Sequence, residues 1–371
     1  MDANTGLIRD KVAAERSQEE AAVVPRAIEN HGVIGDLATI ALAATDGTLD
    51  FLCWPDFDSP TIFAALLDPE RGGMFQIAPE LSDARVTQQY LPDTNVLLTR
   101  WMGDKASGEL TDFMYVKNSR SDGSSMVVRR FRVTRGSLKV RMSCTPRFEY
   151  ATRQLSAELE EGAVIWRQAN GEVLRLLANV PLAEIDGTVV AEITLQAGEG
   201  IDFILDDGDA AEATPEEMEA QTVAFWQNWA RQSTYRGRWR EMVNRSALAL
   251  KLMTSRKHGS IVAAATFGLP ETPGGSRNWD YRATWIRDAS FTVYARRARE
   301  AVCRARPFVQ TSTAGAQGPA PLHGGRPQSA SATRNLALPF LESAFGYGGP
   351  PVGRRQRLVV LHFRPASACH R

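Results

Sequence analysis

The sequence predicts a multidomain chain, in which an antiparallel β-sandwich comes first and paired helices follow it. The chain has 371 residues, a length at which two domains are the default expectation. Strand-like alternation of apolar and polar residues runs from Met74 to about Leu205. From Thr214 onwards helix-like periodicity replaces it. The β and α segments are therefore separated along the chain, as in a chain of two successive domains.

The clearest strand signal lies at residues 138–145, where apolar and polar side chains alternate with a period of two. Similar short segments recur on both sides of it, with turn-forming residues between them. Many short strands at this spacing are typical of an antiparallel sandwich. Upstream, Asp46 and Gly47 form a strong hairpin signal between two further strands. We therefore predict a β-sandwich domain over residues 25–210, after a flexible leader at residues 1–24.

A short helix is predicted just after that hairpin. Ser59 is a favourable N-cap residue, and Pro60 would occupy the first helical position. The helix would end at about Leu67, because the acidic and glycine-rich residues 68–73 that follow are turn formers.

Three longer helices are predicted in the second half of the chain. Thr214 and Glu217 have the spacing of a capping box, which begins a linker helix within residues 211–235. A second helix is predicted over Trp239–Lys257, where one stripe is apolar and the last turn is basic. A third is predicted over about Trp285–Arg299.

The charge of the chain is unevenly distributed. Lys plus Arg and Asp plus Glu number 43 each. Residues 296–371 hold twelve arginines, two glutamates and neither lysine nor aspartate, so this segment carries +10 and the remainder −10. Basic tails can bind nucleic acid. No motif or interleaved aromatic pattern supports that here, and we predict no nucleic-acid partner.

The sequence favours a cytoplasmic location. Residues 1–20 are polar and charged, without the apolar stretch of a secretory signal. No apolar run is long enough to predict a membrane span. The cysteines, Cys53, Cys144, Cys303 and Cys369, are widely spaced and fit neither a disulfide framework nor a zinc site. We predict no membrane partner, no metal and no other cofactor, and the oligomeric state is left open.

The stretch Arg277–Ala289 is the strongest functional signal in the chain. Its thirteen residues include two Trp, one Tyr, two Asp and three Arg. Trp and Tyr can stack on the apolar C–H faces of a pyranose, while Asp and Arg offer forked acceptors and donors to adjacent hydroxyls. Trp285 and Asp288 are three residues apart and would share one face of a helix. The alternative is a salt-bridged helix start whose aromatic residues pack in the core.

Three ordered segments of the chain carry a family resemblance. They are Ile34-Gly35-Asp36 followed by Asp46-Gly47-Thr48-Leu49-Asp50-Phe51-Leu52-Cys53-Trp54-Pro55 and Phe57-Asp58-Ser59-Pro60, then Ile261-Val262-Ala263-Ala264-Ala265-Thr266 with Leu269-Pro270-Glu271, and Arg277-Asn278-Trp279-Asp280-Tyr281-Arg282 followed by Trp285-Ile286-Arg287-Asp288-Ala289. Together they resemble bacterial glycoside hydrolase family 15, which includes glucoamylases, glucodextranases and trehalases. The resemblance covers about residues 28–295 and does not choose among these substrates.

The resemblance implies a large N-terminal β-domain, a helical linker and a catalytic barrel of six helix pairs. Residues 236–295 would be the start of this (α/α) barrel, which would be truncated here. The implied activity is hydrolysis of terminal α-linked glucose with inversion, as in a glucoamylase or a trehalase, on an α-glucoside or α-glucan. Two alternatives stay open: a non-catalytic carbohydrate-binding or interaction module built on the sandwich, and a non-functional fragment.

The resemblance also assigns half of a glucose pocket. Arg287 and Asp288 would grip hydroxyls of the glucose at the cleaved end, and Trp285 and Tyr281 would wall the pocket. Inversion needs a carboxylic acid and a carboxylate roughly 6.5–9.5 Å apart. In the family both are glutamates beyond the matched region, so we name no catalytic residue in this chain. Some trehalases of the family need phosphate and magnesium, but no residue here can be assigned to such a site.

Asp36, Asp46, Asp50 and Asp58 suggest a carboxylate cluster, but the sequence favours structural roles for them. Asp46 is a turn residue, and Asp58 adjoins a predicted helix cap. No pair of histidines has the spacing of metal ligands. The loop around Trp54–Ser59 is a different case, because it could approach the mouth of the barrel, and we state this as a hypothesis.

The resemblance ends at Ala295. Residues 296–371 hold eight Pro and eight Gly, which is poor material for barrel helices. Sequence rich in Arg, Ala, Pro and Gly but without Lys is what GC-rich DNA encodes out of frame. We therefore expect a frameshift near the codon for Arg296, the alternative being a genuine basic tail of low order. We expect the chain as given to be catalytically incomplete.

Overall fold

The computed structural model describes four stretches of the chain: residues 27–116, 125–208, 213–265 and 280–299, the last without the side chains of 294–299. The predicted leader and the tail beyond residue 299 lie outside these stretches. Within them, sixteen strands form two antiparallel sheets, and three right-handed α-helices follow the strands. The predicted antiparallel sheets and the order of β before α are confirmed.

The first sheet begins with the predicted hairpin. Its strands are β1 (His31–Gly35), β2 (Ile40–Ala44), β3 (Thr48–Cys53), β4 (Thr61–Phe63), β5 (Met74–Pro79), β10 (Ser137–Thr145), β14 (Ala183–Ile185) and β15 (Thr188–Gln196). They are ordered β1-β2-β3-β5-β10-β15-β14, and β4 pairs with β3. Between β2 and β3, Asp46 accepts a hydrogen bond from the amide of Thr48 at 3.1 Å. Gly47 has a φ of +83°, which explains why glycine is needed at this turn.

The second sheet holds the other eight strands. They are β6 (Arg85–Tyr90), β7 (Leu97–Met102), β8 (Ser107–Met114), β9 (Met126–Arg135), β11 (Glu158–Glu160), β12 (Ala163–Arg167), β13 (Val173–Ala178) and β16 (Gly200–Asp206). The order is β11-β12-β13-β16-β9-β8-β7-β6. Strands that are distant in sequence, such as β9 and β16, are thus central neighbours, so the sheet depends on long-range pairing.

The inner faces of the two sheets pack against each other and form the main hydrophobic core. Phe75 of the first sheet and Phe203 of the second are fully buried, and their rings meet edge to face with centroids 6.3 Å apart. Along β10, buried and more exposed residues alternate without interruption. This arrangement is a β-sandwich, as the alternation predicted.

The outer face of the first sheet is covered as well. Every residue of β2 and β3 is buried. Ile40 and Phe51 join Trp226 and Leu248 of the helical segment in a second hydrophobic core. The helices therefore pack directly on the strands that carry the N-terminal family segment.

The three helices are α1 (Pro215–Arg231), α2 (Arg240–Leu252) and α3 (Ile286–Arg299). The predicted capping box is present at the start of α1, where Thr214 and Glu217 exchange side chain-to-backbone hydrogen bonds of 2.8 and 3.3 Å. The helix α2 ends earlier than predicted, because Thr254 forms a β-bridge with Ile261 and the chain turns back. Three helices are too few to show a barrel of six helix pairs, so the barrel stays a prediction. The domain boundaries also stay predictions. Among the described residues, no helix combines the length and the apolar character needed to cross a membrane.

The helix predicted after Ser59 is wrong. The segment forms β4 instead, in which Thr61 pairs with Cys53 of β3. All three residues of β4 are buried, and two of them are β-branched, which favours a strand. The hydroxyl of Ser59 instead accepts a hydrogen bond from the amide of Asp56 at 3.1 Å. Pairing with β3 therefore outweighs the local N-cap signal.

A buried ion pair ties the two sheets together. Arg129 of β9 and Asp112 of β8 have side chains that are 0% and 1% exposed, and they meet at 2.8 Å. The same guanidinium donates to the carbonyl oxygens of Gly47, at 2.7 Å, and Phe75. Because Phe75 belongs to the first sheet and Gly47 to its hairpin turn, Arg129 connects the two halves of the sandwich through their core.

His31 and Asp50 form a second buried pair, with Nε2 2.9 Å from Oδ2. The Nδ1 atom of His31 faces the carbonyl oxygens of Ala27 and Ile28 at 3.0 and 3.2 Å. All three partners are acceptors, and both ring nitrogens can donate to them only when the imidazole is protonated, so this arrangement favours the charged form. Burial opposes this charge, but Asp50 and the two carbonyls outweigh it and raise the pKa of His31 above its ordinary value of 6.5.

Candidate functional site

The described part of the signature stretch, Asp280–Ala289, consists of a turn and the first residues of α3. The amide of Ala263 donates a hydrogen bond to the carbonyl oxygen of Tyr281 at 2.9 Å. This bond joins the stretch to the segment Ile261–Ala265, which also carries the family resemblance. Two of the three family segments are thus adjacent in space, although Trp279 lies outside the described residues.

Tyr281 and Trp285, the predicted pocket walls, lie one helical turn apart in sequence. Their rings are stacked, with centroids 6.2 Å apart and planes inclined by 26°. Trp285 is 7% exposed and Tyr281 is half-buried. Trp285 therefore supports the ring of Tyr281 from the protein side. Tyr281 is the better placed of the two to contact a ligand.

Arg287 and Asp288, the predicted sugar-gripping pair, lie in the first turn of α3. Their side chains are 43% and 34% exposed, and Nη2 of Arg287 is 3.3 Å from Oδ2 of Asp288. That oxygen is shielded from solvent and accepts no hydrogen bond from the described residues. A carboxylate at a helix N-terminus is stabilised by the helix dipole. The pair thus offers a donor and an acceptor side by side at a half-exposed position.

Asp280 and Arg282 form a tight clamp at the start of the stretch. The Nε and Nη2 atoms of Arg282 donate to the two carboxylate oxygens of Asp280, both at 2.8 Å. Hydrogen bonding from Arg282 lowers the pKa of Asp280, and the bond to Asp280 raises the pKa of Arg282. This geometry fits a structural start to the helix, which is the role that the sequence analysis allowed for such residues.

Arg282 also reaches the β-domain. Its Nη1 atom donates to the carbonyl oxygen of Ser59 at 3.2 Å and to the hydroxyl of Tyr150 at 2.7 Å. The first of these bonds brings the loop around Trp54–Ser59 into contact with the signature stretch, and its approach to the mouth of a barrel stays a hypothesis. Nearby, burial raises the pKa of Cys53 to about 12 although Arg282 opposes the shift, so this thiol stays protonated near neutral pH.

Comparison with protein families places these segments in a known group. Residues 18–181 match the family described as trehalase-like, N-terminal, and residues 237–301 match glycosyl hydrolases family 15. The chain belongs to glycoside hydrolase family 15. The second match runs six residues past Ala295, where we predicted the resemblance to end. The first begins within the predicted leader.

Curated relatives of this family 15 chain include several trehalases. The chain is 32% identical to a trehalase of Thermoplasma volcanium, over 72% of its own length and 44% of the relative. It is 30% identical to a trehalase of Mycobacterium tuberculosis, over 72% of its own length and 43% of the relative. It is 32% identical to trehalase 1 of Sulfolobus acidocaldarius, over 70% and 43%. The chain thus spans less than half the length of these relatives.

The aspartates that suggested a carboxylate cluster have different surroundings in this family 15 chain. Asp36 is buried, which raises its pKa, and it accepts hydrogen bonds from the next backbone amides at 2.8 and 3.0 Å. Asp46 closes the hairpin turn, Asp50 pairs with His31, and Asp58 is exposed. In the part of the chain that the structure describes, no three His, Cys, Asp or Glu side chains group closely enough to hold a metal ion.

The contact between Tyr150 and Arg282 was not predicted from the sequence. Tyr150 lies 132 residues before Arg282, in a turn between strands of the β-domain. The residues around it, Glu149 to Ala151, include neither glycine nor asparagine, which are the usual indicators of a left-handed turn. Only the folded structure brings this aromatic side chain next to the signature stretch.

Proposed function

We propose that this family 15 protein is a trehalase, which hydrolyses the bond between two α,α-linked glucose units with inversion. The observation that carries the proposal is the half-exposed Arg287–Asp288 pair beside the Tyr281–Trp285 stack. Relatives named trehalase, at 30–33% identity, favour trehalose over the α-glucans of glucoamylases. Its cytoplasmic location stays a prediction from the sequence.

The proposed role of the pair is to hold one glucose unit by its hydroxyls. A hydroxyl can donate to the carboxylate of Asp288 while a neighbouring hydroxyl accepts from the guanidinium of Arg287. Such charge-assisted hydrogen bonds are stronger and more directional than those between neutral groups. The ring of Tyr281 would then contact the apolar face of the same sugar.

Proton transfer belongs to other residues in this proposal. Hydrolysis with inversion needs an acid at the leaving oxygen and a base that activates water from the opposite face. The sequence analysis places both glutamates beyond the matched region, and this stays a prediction. The described residues would therefore bind and orient the sugar.

Titration calorimetry on the full 371-residue chain tests the proposal, with trehalose, maltose and the β-linked disaccharide cellobiose as ligands. We expect trehalose to bind, and cellobiose to bind much more weakly. Asp288→Asn should weaken trehalose binding about tenfold or more, because a hydrogen bond to a charged group is lost. Asp68→Asn is a matched control, since the carboxylate of Asp68 is 35% exposed and also pairs with an arginine. It should leave binding unchanged.

The result that would contradict the proposal is the absence of trehalose binding, or equal effects of the two Asp→Asn variants. Glucose release should be measured in the same samples. Glucose release would contradict the expectation that this chain is catalytically incomplete, whereas trehalose binding without release is expected both of an incomplete hydrolase and of the non-catalytic carbohydrate-binding module.

A further inference from the structure

Tyr150 is displayed on a backbone turn that proteins rarely use. Glu149, Tyr150 and Ala151 have φ angles of +51°, +58° and +63°, so three consecutive residues other than glycine are left-handed. Residues with a Cβ visit this region singly and at an energetic cost. Strain of this kind is concentrated at functional sites, where the surrounding structure maintains it.

The turn is held firmly on both sides. Phe148 and Arg153 exchange backbone hydrogen bonds of 2.9 and 3.1 Å across its base, and Phe148 is 2% exposed in the sandwich core. Arg153 also pairs with Glu149 at 3.1 Å. Tyr150 itself is 51% exposed. The fold therefore fixes a strained turn and leaves a large aromatic ring at the surface, so burial of that ring does not explain the strain.

This exposed ring lies beside the signature stretch. The hydroxyl of Tyr150 accepts the hydrogen bond from Arg282, whose guanidinium carbon is 5.7 Å from the centre of the ring. Arg282 precedes Arg287 by five residues, which span at most about 18 Å even when extended. The turn and the helix between them shorten that distance further. Tyr150 therefore contacts the same short stretch that carries Asp288, six residues before that carboxylate.

We propose that Tyr150 binds the second ring of a disaccharide whose first glucose is held at Arg287 and Asp288. This inference rests on the proposed function. An exposed aromatic face suits the apolar C–H face of a pyranose. The bond from Arg282 fixes the orientation of the ring before the ligand arrives. The β-domain thereby takes part in substrate recognition and favours a disaccharide over free glucose.

The test compares trehalose and glucose binding to the full chain and its variants by calorimetry. Tyr150→Ala should weaken trehalose binding about five- to tenfold, the usual worth of one aromatic contact, and leave glucose binding within about twofold. Tyr150→Phe keeps the stacking face and should keep most of the trehalose affinity. Leu159→Ala is the matched control, because Leu159 is a large apolar residue of the same domain and is 49% exposed.

Asp288→Asn separates this inference from the proposed function, because it should weaken trehalose and glucose alike. If the unmodified chain binds neither sugar, the proposed function and the inference fail together. If it binds trehalose and Tyr150→Ala binds it equally well, only the inference fails. A Tyr150→Ala variant with a lower thermal midpoint but an unchanged ratio of trehalose to glucose affinity would also overturn it, since Tyr150 would then be a structural contact.

Discussion

Replacing Arg282 with alanine should loosen the contact between the helical segment and the β-domain. The guanidinium is bound to Asp280 twice, and to Ser59 and Tyr150 once each. The Arg282 side chain is 19% exposed and that of Asp280 is 48% exposed, so solvent screens the ion pair and it contributes about 0.2–1 kcal/mol. The other two hydrogen bonds contribute about 0.5–1.5 kcal/mol each. The expected loss in unfolding free energy is therefore about 1–4 kcal/mol.

Urea unfolding followed by tryptophan fluorescence measures this loss. The control is Arg71→Ala, since Arg71 also pairs with an aspartate, at 2.7 Å, but its side chain is 82% exposed. We expect that control to lose less than about 0.5 kcal/mol. Arg282→Lys should lie between the two, because lysine keeps the charge and loses the planar fork. If Arg282→Ala is no less stable than Arg71→Ala, the clamp does not hold the two parts of the chain together.

The other buried and strained groups give three further expectations. Arg129→Met should lower the unfolding free energy by about 3–5 kcal/mol because it leaves Asp112 buried without its partner, and adding Asp112→Leu should recover part of that loss in the same urea assay. The raised pKa of His31 makes its stabilising pairing with Asp50 complete below the ordinary value of 6.5 and lost as pH rises through the raised value. The urea midpoint of the unmodified chain should therefore fall more steeply than that of His31→Gln as pH rises above 6.5, and parallel profiles would contradict the buried charge. Ala151→Gly should increase the free energy of unfolding by up to about 1 kcal/mol and so raise the thermal midpoint, since glycine adopts a positive φ without strain. A lower midpoint would show that the turn is not strained.

Local sequence patterns correctly predicted the elements whose stability depends mainly on residues nearby in the sequence. The alternation along β10 reflects one buried face, and the capping box at Thr214 satisfies its own helix end, so both could be predicted from neighbouring residues. The helix expected after Ser59 failed because β4 is stabilised by a partner strand, which the N-cap signal does not report. Similarly, an arginine within a strand is not expected to be buried. Arg129 is fully buried because Asp112 on β8, the carbonyl oxygen of Phe75 in the first sheet and that of Gly47 in its hairpin turn accept hydrogen bonds from it.

The sequence predicted which residues form the candidate site, but only part of how they are arranged in space. The signature stretch placed Arg287 and Asp288 together at a helix start, which the structure shows. It did not reveal that Trp285 would lie behind Tyr281, because burial depends on what packs around the helix. The contact between Tyr150 of the β-domain and Arg282 could not be predicted from any local pattern, since the two residues are 132 positions apart.

Charge is balanced across the candidate site, and this bears on what it can bind. Arg282 lies opposite Asp280, whose pKa that guanidinium holds below its usual range, and Arg287 faces Asp288 at 3.3 Å. With each cation facing an anion, these pairs carry no net charge that would attract a phosphate or carboxylate group. Their donors and acceptors still match neutral hydroxyls. Under the proposed function, such a site would discriminate by hydroxyl geometry and ring contacts, so an uncharged disaccharide would fit it and a phosphorylated sugar would gain no advantage.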